Sequence, residues 1–136
     1  MTEIHTEVPL GQVRVCDAMH TGILTTDPGT PLRVVARLMA ERKVHAVAVA
    51  DDGFTRRPWG VVSAIDIAAA VASGEDLTAG QAAKTEVVTV RSDDRLETAA
   101  QLMTEHGLSH LFVVDPESGH IEGILSALDV ATVYGG

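Results

Sequence analysis

The chain has 136 residues, about one domain's worth of core, and carries 19 acidic against 10 basic side chains for a formal net charge of −9. That balance excludes a nucleic-acid surface, which needs a basic stripe to neutralise phosphates. With one cysteine, Cys16, neither an intrachain disulfide nor a cysteine-based zinc site can form.

Residues 1–12 read as an N-terminal arm with neither the positive region nor the apolar run of a secretory signal, and no segment approaches the length of a membrane span. A cytoplasmic protein is the expectation. Val15 to Met19 opens the first ordered segment and leads to a short strand at Ile23-Leu24-Thr25-Thr26. After Pro31, suited to a first helical turn, Leu32, Val35, Ala36, Leu38 and Met39 recur at helical spacing. A strand at Ala46 to Ala50, a polar turn at Asp51-Asp52-Gly53, a second strand at Val61-Val62 and a helix from Ile65 to Ala72 complete this half. Arg56-Arg57 fall in the turn and are expected to face water.

The second half runs the same way. Ala79 to Ala83 matches Val15 to Met19, Val87-Val88-Thr89-Val90 matches the first strand, and Leu96, Ala99, Ala100, Leu102 and Met103 repeat the helical face. Leu111 to Val114, a turn at Asp115 to Gly119, Ile121 to Leu125 and a helix from Ala127 to Val133 follow. Internal duplication at this period means two related units rather than one. The repeats are read as residues 13–73 and 78–136, with 74–77 as the linker, and the class as α+β with two β-α-β-β-α repeats.

The duplication is sharpest in one phrase, Gly60-Val61-Val62-Ser63-Ala64-Ile65-Asp66 and Gly123-Ile124-Leu125-Ser126-Ala127-Leu128-Asp129. Ser-x-x-Asp resembles a capping box, in which the hydroxyl satisfies an orphan amide and the acid reaches back, while its charge suits the helix dipole. The same geometry can also serve a ligand. Amides and a hydroxyl at a helix start suit an anion, and a carboxylate can accept two hydrogen bonds from the adjacent hydroxyls of a ribose.

With Met39 and Met103 each standing twelve residues before an aspartate, Asp51 and Asp115, the ordered series resembles a tandem pair of cystathionine-β-synthase-type (CBS) domains, a Bateman module. The resemblance covers about Arg14 to Tyr134. It implies sheets packed together about a pseudo-twofold axis with helices outside, and two clefts between the repeats for an adenosine-containing ligand: AMP, ADP or ATP first, S-adenosylmethionine or NAD next. It implies Asp66 and Asp129 as ribose anchors with Ser63 and Ser126 beside them, Thr25 and Thr89 at base and ribose, and Ile23, Leu24, Val87 and Val88 as apolar neighbours of the adenine. Thr25 and Thr89 are equally suited to a strand by their branching.

At the phosphate end, where related sensors carry basic residues, this chain has His45-Ala46 and Ser109-His110. An imidazole supplies only a fractional charge near neutral pH, so modest affinity is expected. Of the two clefts, the one nearer Arg91 is expected to suit an anion better than the one nearer Asp27. The family also implies a homodimer made through small apolar helix surfaces such as Ile67 to Ala72, and output to a separate protein effector.

Catalysis is not expected. Neither half offers a nucleophile beside a paired base, and nothing in the sequence orients Cys16 with His20. His106 and His110 stand four apart, but Gly107 and a strand starting near 110 break the helix that would align them on a metal. Nucleotide is thus expected as a regulatory ligand, with no obligatory cofactor. The competing reading is a nucleotide-independent scaffold that dimerises and docks a partner.

Overall fold

The computed structural model describes residues 9–51 and 58–136; most of the N-terminal arm and the turn residues Asp52, Gly53, Arg56 and Arg57 lie outside the described residues. The stripe that marks one helix face is buried. In α2 (Leu32–Arg42) Leu32, Val35 and Met39 point into a core, and in α5 (Leu96–His106) Leu96, Ala99 and Met103 do the same. The period of 3.6 residues per turn places those side chains on one side, so their burial drives each helix onto its sheet.

The remaining elements in chain order are α1 (Val15–Ala18), β1 (His20–Thr21), β2 (Thr25–Thr26), β3 (Ala46–Ala50), β4 (Pro58–Ser63), α3 (Ala64–Ser73), α4 (Ala79–Ala82), β5 (Thr89–Arg91), β6 (His110–Val114), β7 (Ile121–Ser126) and α6 (Ala127–Gly135). The class is α+β, as the repeat predicts. The short strand β1 has no counterpart in the expected element order.

Two compact units form, and their limits are not those of the repeats. Ile23–Val87 makes a contiguous unit, while the residues up to Gly22 join Val88–Gly136 in a composite one. The contiguous unit holds a sheet of order β2-β3-β4, with β2 parallel and β4 antiparallel to β3. The composite unit holds the order β1-β7-β6-β5, with β5 parallel to β6 and the other neighbours antiparallel.

The opening segment of each repeat is therefore found with the other repeat's sheet. Val15, fully buried, belongs to a core with Leu96, Leu111 and Leu125, all from the second repeat. Ala79, fully buried as well, belongs to a core with Val35, Val47 and Val62 from the first. Residues 74–77, expected as a linker, lead into the contiguous unit: the Leu32 amide donates to the Leu77 carbonyl at 2.9 Å and the Ala79 amide to the Thr30 carbonyl at 2.8 Å.

This crossing explains the glycine of the repeated phrase. A Cβ on Gly123 would collide with the carbonyl oxygen of His20 and lie 3.1 Å from Met19 Sδ; one on Gly60 would lie 3.0 Å from Ala83 Cβ and 3.2 Å from the Lys84 carbonyl. Segments 19–20 and 83–84 correspond in the alignment, so each glycine clears a path for the same incoming backbone.

Both long helices close on a left-handed residue, Gly107 at φ 64° in one repeat and Lys43 at φ 55° in the other. Lys43 is the one non-glycine residue at positive φ among the described residues. A side chain costs about 1–2 kcal/mol in that conformation, against about 0.5–1 kcal/mol of extra chain entropy lost by glycine. Lys43→Gly is therefore expected to stabilise the protein by about 0.5–1 kcal/mol, read as a higher denaturant midpoint at unchanged slope.

Candidate functional site

The two Ser-x-x-Asp phrases form matching corners where β4 turns into α3 and β7 into α6. At the first, the Ser63 amide donates to Asp66 Oδ2 at 2.8 Å and the Ser63 hydroxyl to the same oxygen at 2.9 Å. Oδ1 takes no part in those bonds. At the second, the Ser126 amide donates to Asp129 Oδ2 at 2.8 Å and the Asp129 amide returns a bond to Ser126 Oγ at 3.1 Å. The capping box drawn from sequence forms at both corners, with orphan groups at a helix start satisfied reciprocally.

The register gathers the expected site residues of each repeat at one end of its sheet. Ser63 lies opposite Ala46, the residue after His45, and the His45 carbonyl accepts the Ala64 amide at 3.1 Å. Ser126 lies opposite His110, and the Ser109 carbonyl accepts the Ala127 amide at 2.8 Å. On the far side of each middle strand, the Leu24 carbonyl accepts the Ala48 amide at 2.9 Å and the Val88 carbonyl accepts the Phe112 amide at 3.1 Å. Thr25 and Thr89 follow them, opposite Ala48 and Phe112. Leu24, Thr25, His45, Ser63 and Asp66 thus belong to the contiguous unit, and Val88, Thr89, His110, Ser126 and Asp129 to the composite one.

Exposure separates them. Thr25, Thr89 and His45 are exposed, Leu24, Val88, His110, Asp66 and Ser126 are half-buried, and Ser63 and Asp129 are buried. His45 and His110 are not equivalent: the first precedes its strand, while the second opens its own and stands 3.0 Å from the Ser109 hydroxyl through Nδ1.

One residue at these corners was not singled out as a site residue from sequence. His20 Nε2 lies 2.8 Å from Asp129 Oδ1, with the imidazole 74% exposed and the carboxylate side chain 10% exposed. The sequence sets His20 only beside Cys16; its partner Asp129 is remote along the chain and meets it where β1 pairs with β7. The available signal was its alignment with Lys84, a basic residue at the same place in the other repeat.

Arg91, expected near an anion, turns to a neighbour instead. Its Nε and one terminal nitrogen grip the Asp93 carboxylate at 2.9 and 2.8 Å. The pairing raises the arginine and holds Asp93 below the usual carboxylate range. Desolvation, then the Asp17 carboxylate, push the Cys16 thiol above its usual range, which keeps it protonated and weakly nucleophilic.

An apolar groove of about 310 Å³ runs between α2 and α3, lined by Leu32, Ala36, Ile67, Ala70 and Val71, and none of the expected site residues borders it. No helix among the described residues is long and apolar enough to cross a membrane.

Comparison with known proteins accords with this architecture. Residues 15–73 and 79–136 each match the CBS domain family. A CBS domain-containing protein of Bacillus subtilis, YhcV, is 31% identical over 120 residues, covering 86% of this chain and 82% of its own. A homoserine O-acetyltransferase of Methanosphaerula palustris is 31% identical over 127 residues, 93% of this chain, which spans only 25% of that relative's length.

Among solved structures, the CBS domain pair of protein MJ0100, in complex with 5′-methylthioadenosine and S-adenosyl-L-methionine, superposes with a TM-score of 0.80 at 21% identity, covering 91% of this chain and 97% of that one. PAE2072 of Pyrobaculum aerophilum, complexed with AMP, gives a TM-score of 0.76 at 26% identity over 91% of this chain and all of that one (100%). Two family matches in tandem, each ending in a Ser-x-x-Asp corner, place the chain in the CBS domain family, as a CBS pair.

Proposed function

We propose that this CBS pair is a regulatory module that binds an adenosine-containing ligand, with Asp66 and Asp129 accepting the ribose hydroxyls. The observation that carries the reading is the first corner. Ser63 occupies one oxygen of Asp66 twice over, which fixes the carboxylate while Oδ1 remains for a diol. Thr25, Leu24 and His45 share that end of the sheet, and Thr89, Val88 and His110 share the corresponding end in the other unit.

The complexes of PAE2072 with AMP and of MJ0100 with S-adenosylmethionine support the ligand class and leave the choice within it to experiment. We read the module as regulatory rather than catalytic, with the Ser109 hydroxyl beside His110 Nδ1 belonging to the proposed ligand site. Exposed apolar side chains on α3 and α6, Ile65, Val71, Leu128 and Tyr134, support a homodimer formed through those helices and an output passed to a separate effector protein.

Thermal melting with AMP, ADP, ATP, S-adenosylmethionine and NAD tests the reading. A ligand at about 100 times its Kd adds ~2.7 kcal/mol, which raises the melting temperature of a domain this size by about 10 °C. Asp66→Ala is expected to lower stability by about 1 kcal/mol through the lost cap and to weaken binding as well. No shift from any of the five at millimolar concentration sinks the sensor reading; the reciprocal cap at Ser126 and Asp129 would then favour the scaffold, whose corners are purely structural.

A further inference from the structure

The two corners are the same in sequence and different in bonding. Among the described residues Asp66 is held through Oδ2 alone, by Ser63, whereas Asp129 is held through both oxygens, Oδ2 by Ser126 and Oδ1 by His20 Nε2 at 2.8 Å. Asp129 is the more enclosed of the two, at 10% side-chain exposure, and the group across its open oxygen is an imidazole 74% exposed. Lys84, aligned with His20, exchanges backbone bonds with Val61 at 2.9 Å in both directions, while Asp66 accepts its two hydrogen bonds from Ser63.

We infer that His20 is a specificity-determining residue that makes the two ribose anchors unequal by engaging Asp129 Oδ1, so that a ribose diol must share that oxygen with the imidazole or displace it. The inference rests on the proposed role of the corner aspartates. A ribose needs carboxylate lone pairs that face it, and the Ser126 amide already holds the inner oxygen. The outer one is the acceptor His20 takes. The imidazole is itself 74% exposed, so it swings into solvent readily and delays filling of this anchor rather than preventing it. Ligand therefore fills the Asp66 anchor first and the Asp129 anchor at higher concentration.

Calorimetric titration with adenosine, which carries no phosphate to interact with the imidazole, isolates the effect. The Asp66→Ala protein leaves Asp129 as the remaining anchor; adding His20→Ala to it is expected to tighten adenosine binding about threefold, the scale of one weak hydrogen bond. The gain should vanish with 2′,3′-dideoxyadenosine, which lacks the diol. Unchanged or weaker adenosine binding in the double variant overturns the inference, as does an equal gain with the dideoxy compound, while Asp66-dependent binding in the wild type would leave the proposed function standing. Adenosine binding by neither the wild type nor any variant overturns both.

Discussion

Replacing Gly123 by alanine should lower stability by about 3 kcal/mol or more, the upper range for forcing an atom into a packed site. The added methyl meets the His20 carbonyl oxygen, a backbone atom tied into β1, with Met19 Sδ at 3.1 Å behind it. No rotamer change can relieve a clash with backbone, so β1 must lift from β7. The aligned Gly60→Ala meets a side-chain methyl at 3.0 Å and a carbonyl at 3.2 Å, contacts that a shift of a few tenths of an ångström relieves, and should cost about 1 kcal/mol. Chemical denaturation of the two variants checks the order. Equal losses would mean that the crossing of His20 over Gly123 is not the constraint drawn here. Gly123→Ala should also move His20 away from Asp129, so a surviving folded fraction would lose the 2.8 Å pair.

Val15→Asp is expected to have the other large effect, and to have it in the opposite repeat. Val15 is fully exposed to its core and not at all to solvent, and it shares that core with Leu96, Leu111 and Leu125. A carboxylate there has no partner and must either remain charged at a cost of several kcal/mol or take up a proton. Hydrogen exchange followed by mass spectrometry should show protection lost first across β6 and β7, far along the chain from the substitution, while β3 and α2 of the substituted repeat keep theirs. Loss confined to residues 15–73 would contradict the composite unit. Ala79→Asp should give the mirror pattern, with β3 and β4 losing protection.

The helices α2 and α5, both hairpins' strands and the two corners were legible from local pattern, because spacing of Leu32, Val35 and Met39 or of Ser63 and Asp66 is set within a few residues. The pairing of α1 with the second repeat was not. Val15 to Met19 aligns with Ala79 to Ala83 whichever sheet each one joins, so periodicity cannot say where they pack. For the same reason local pattern assigns the glycines of the phrase no task, whereas in the structure they admit the backbone of the other repeat's opening segment. His20 escaped notice because Asp129 stands near the other end of the sequence and only tertiary structure joins them. Arg91 read as available charge because the two-residue step to Asp93 carries no helical or strand signal of pairing.

Since Ile23–Val87 interrupts the composite unit, the chain has the topology of an insertion. During synthesis the contiguous unit can close as soon as Val87 has left the ribosome, while Val13 and Val15, made earlier, have no strand to cover them until β6 and β7 emerge. Helix α1, made before β6 and β7, finds its place late, through contacts of high sequence separation that form slowly. A segment waiting in this way is exposed to proteases and to other chains until β6 and β7 have been made.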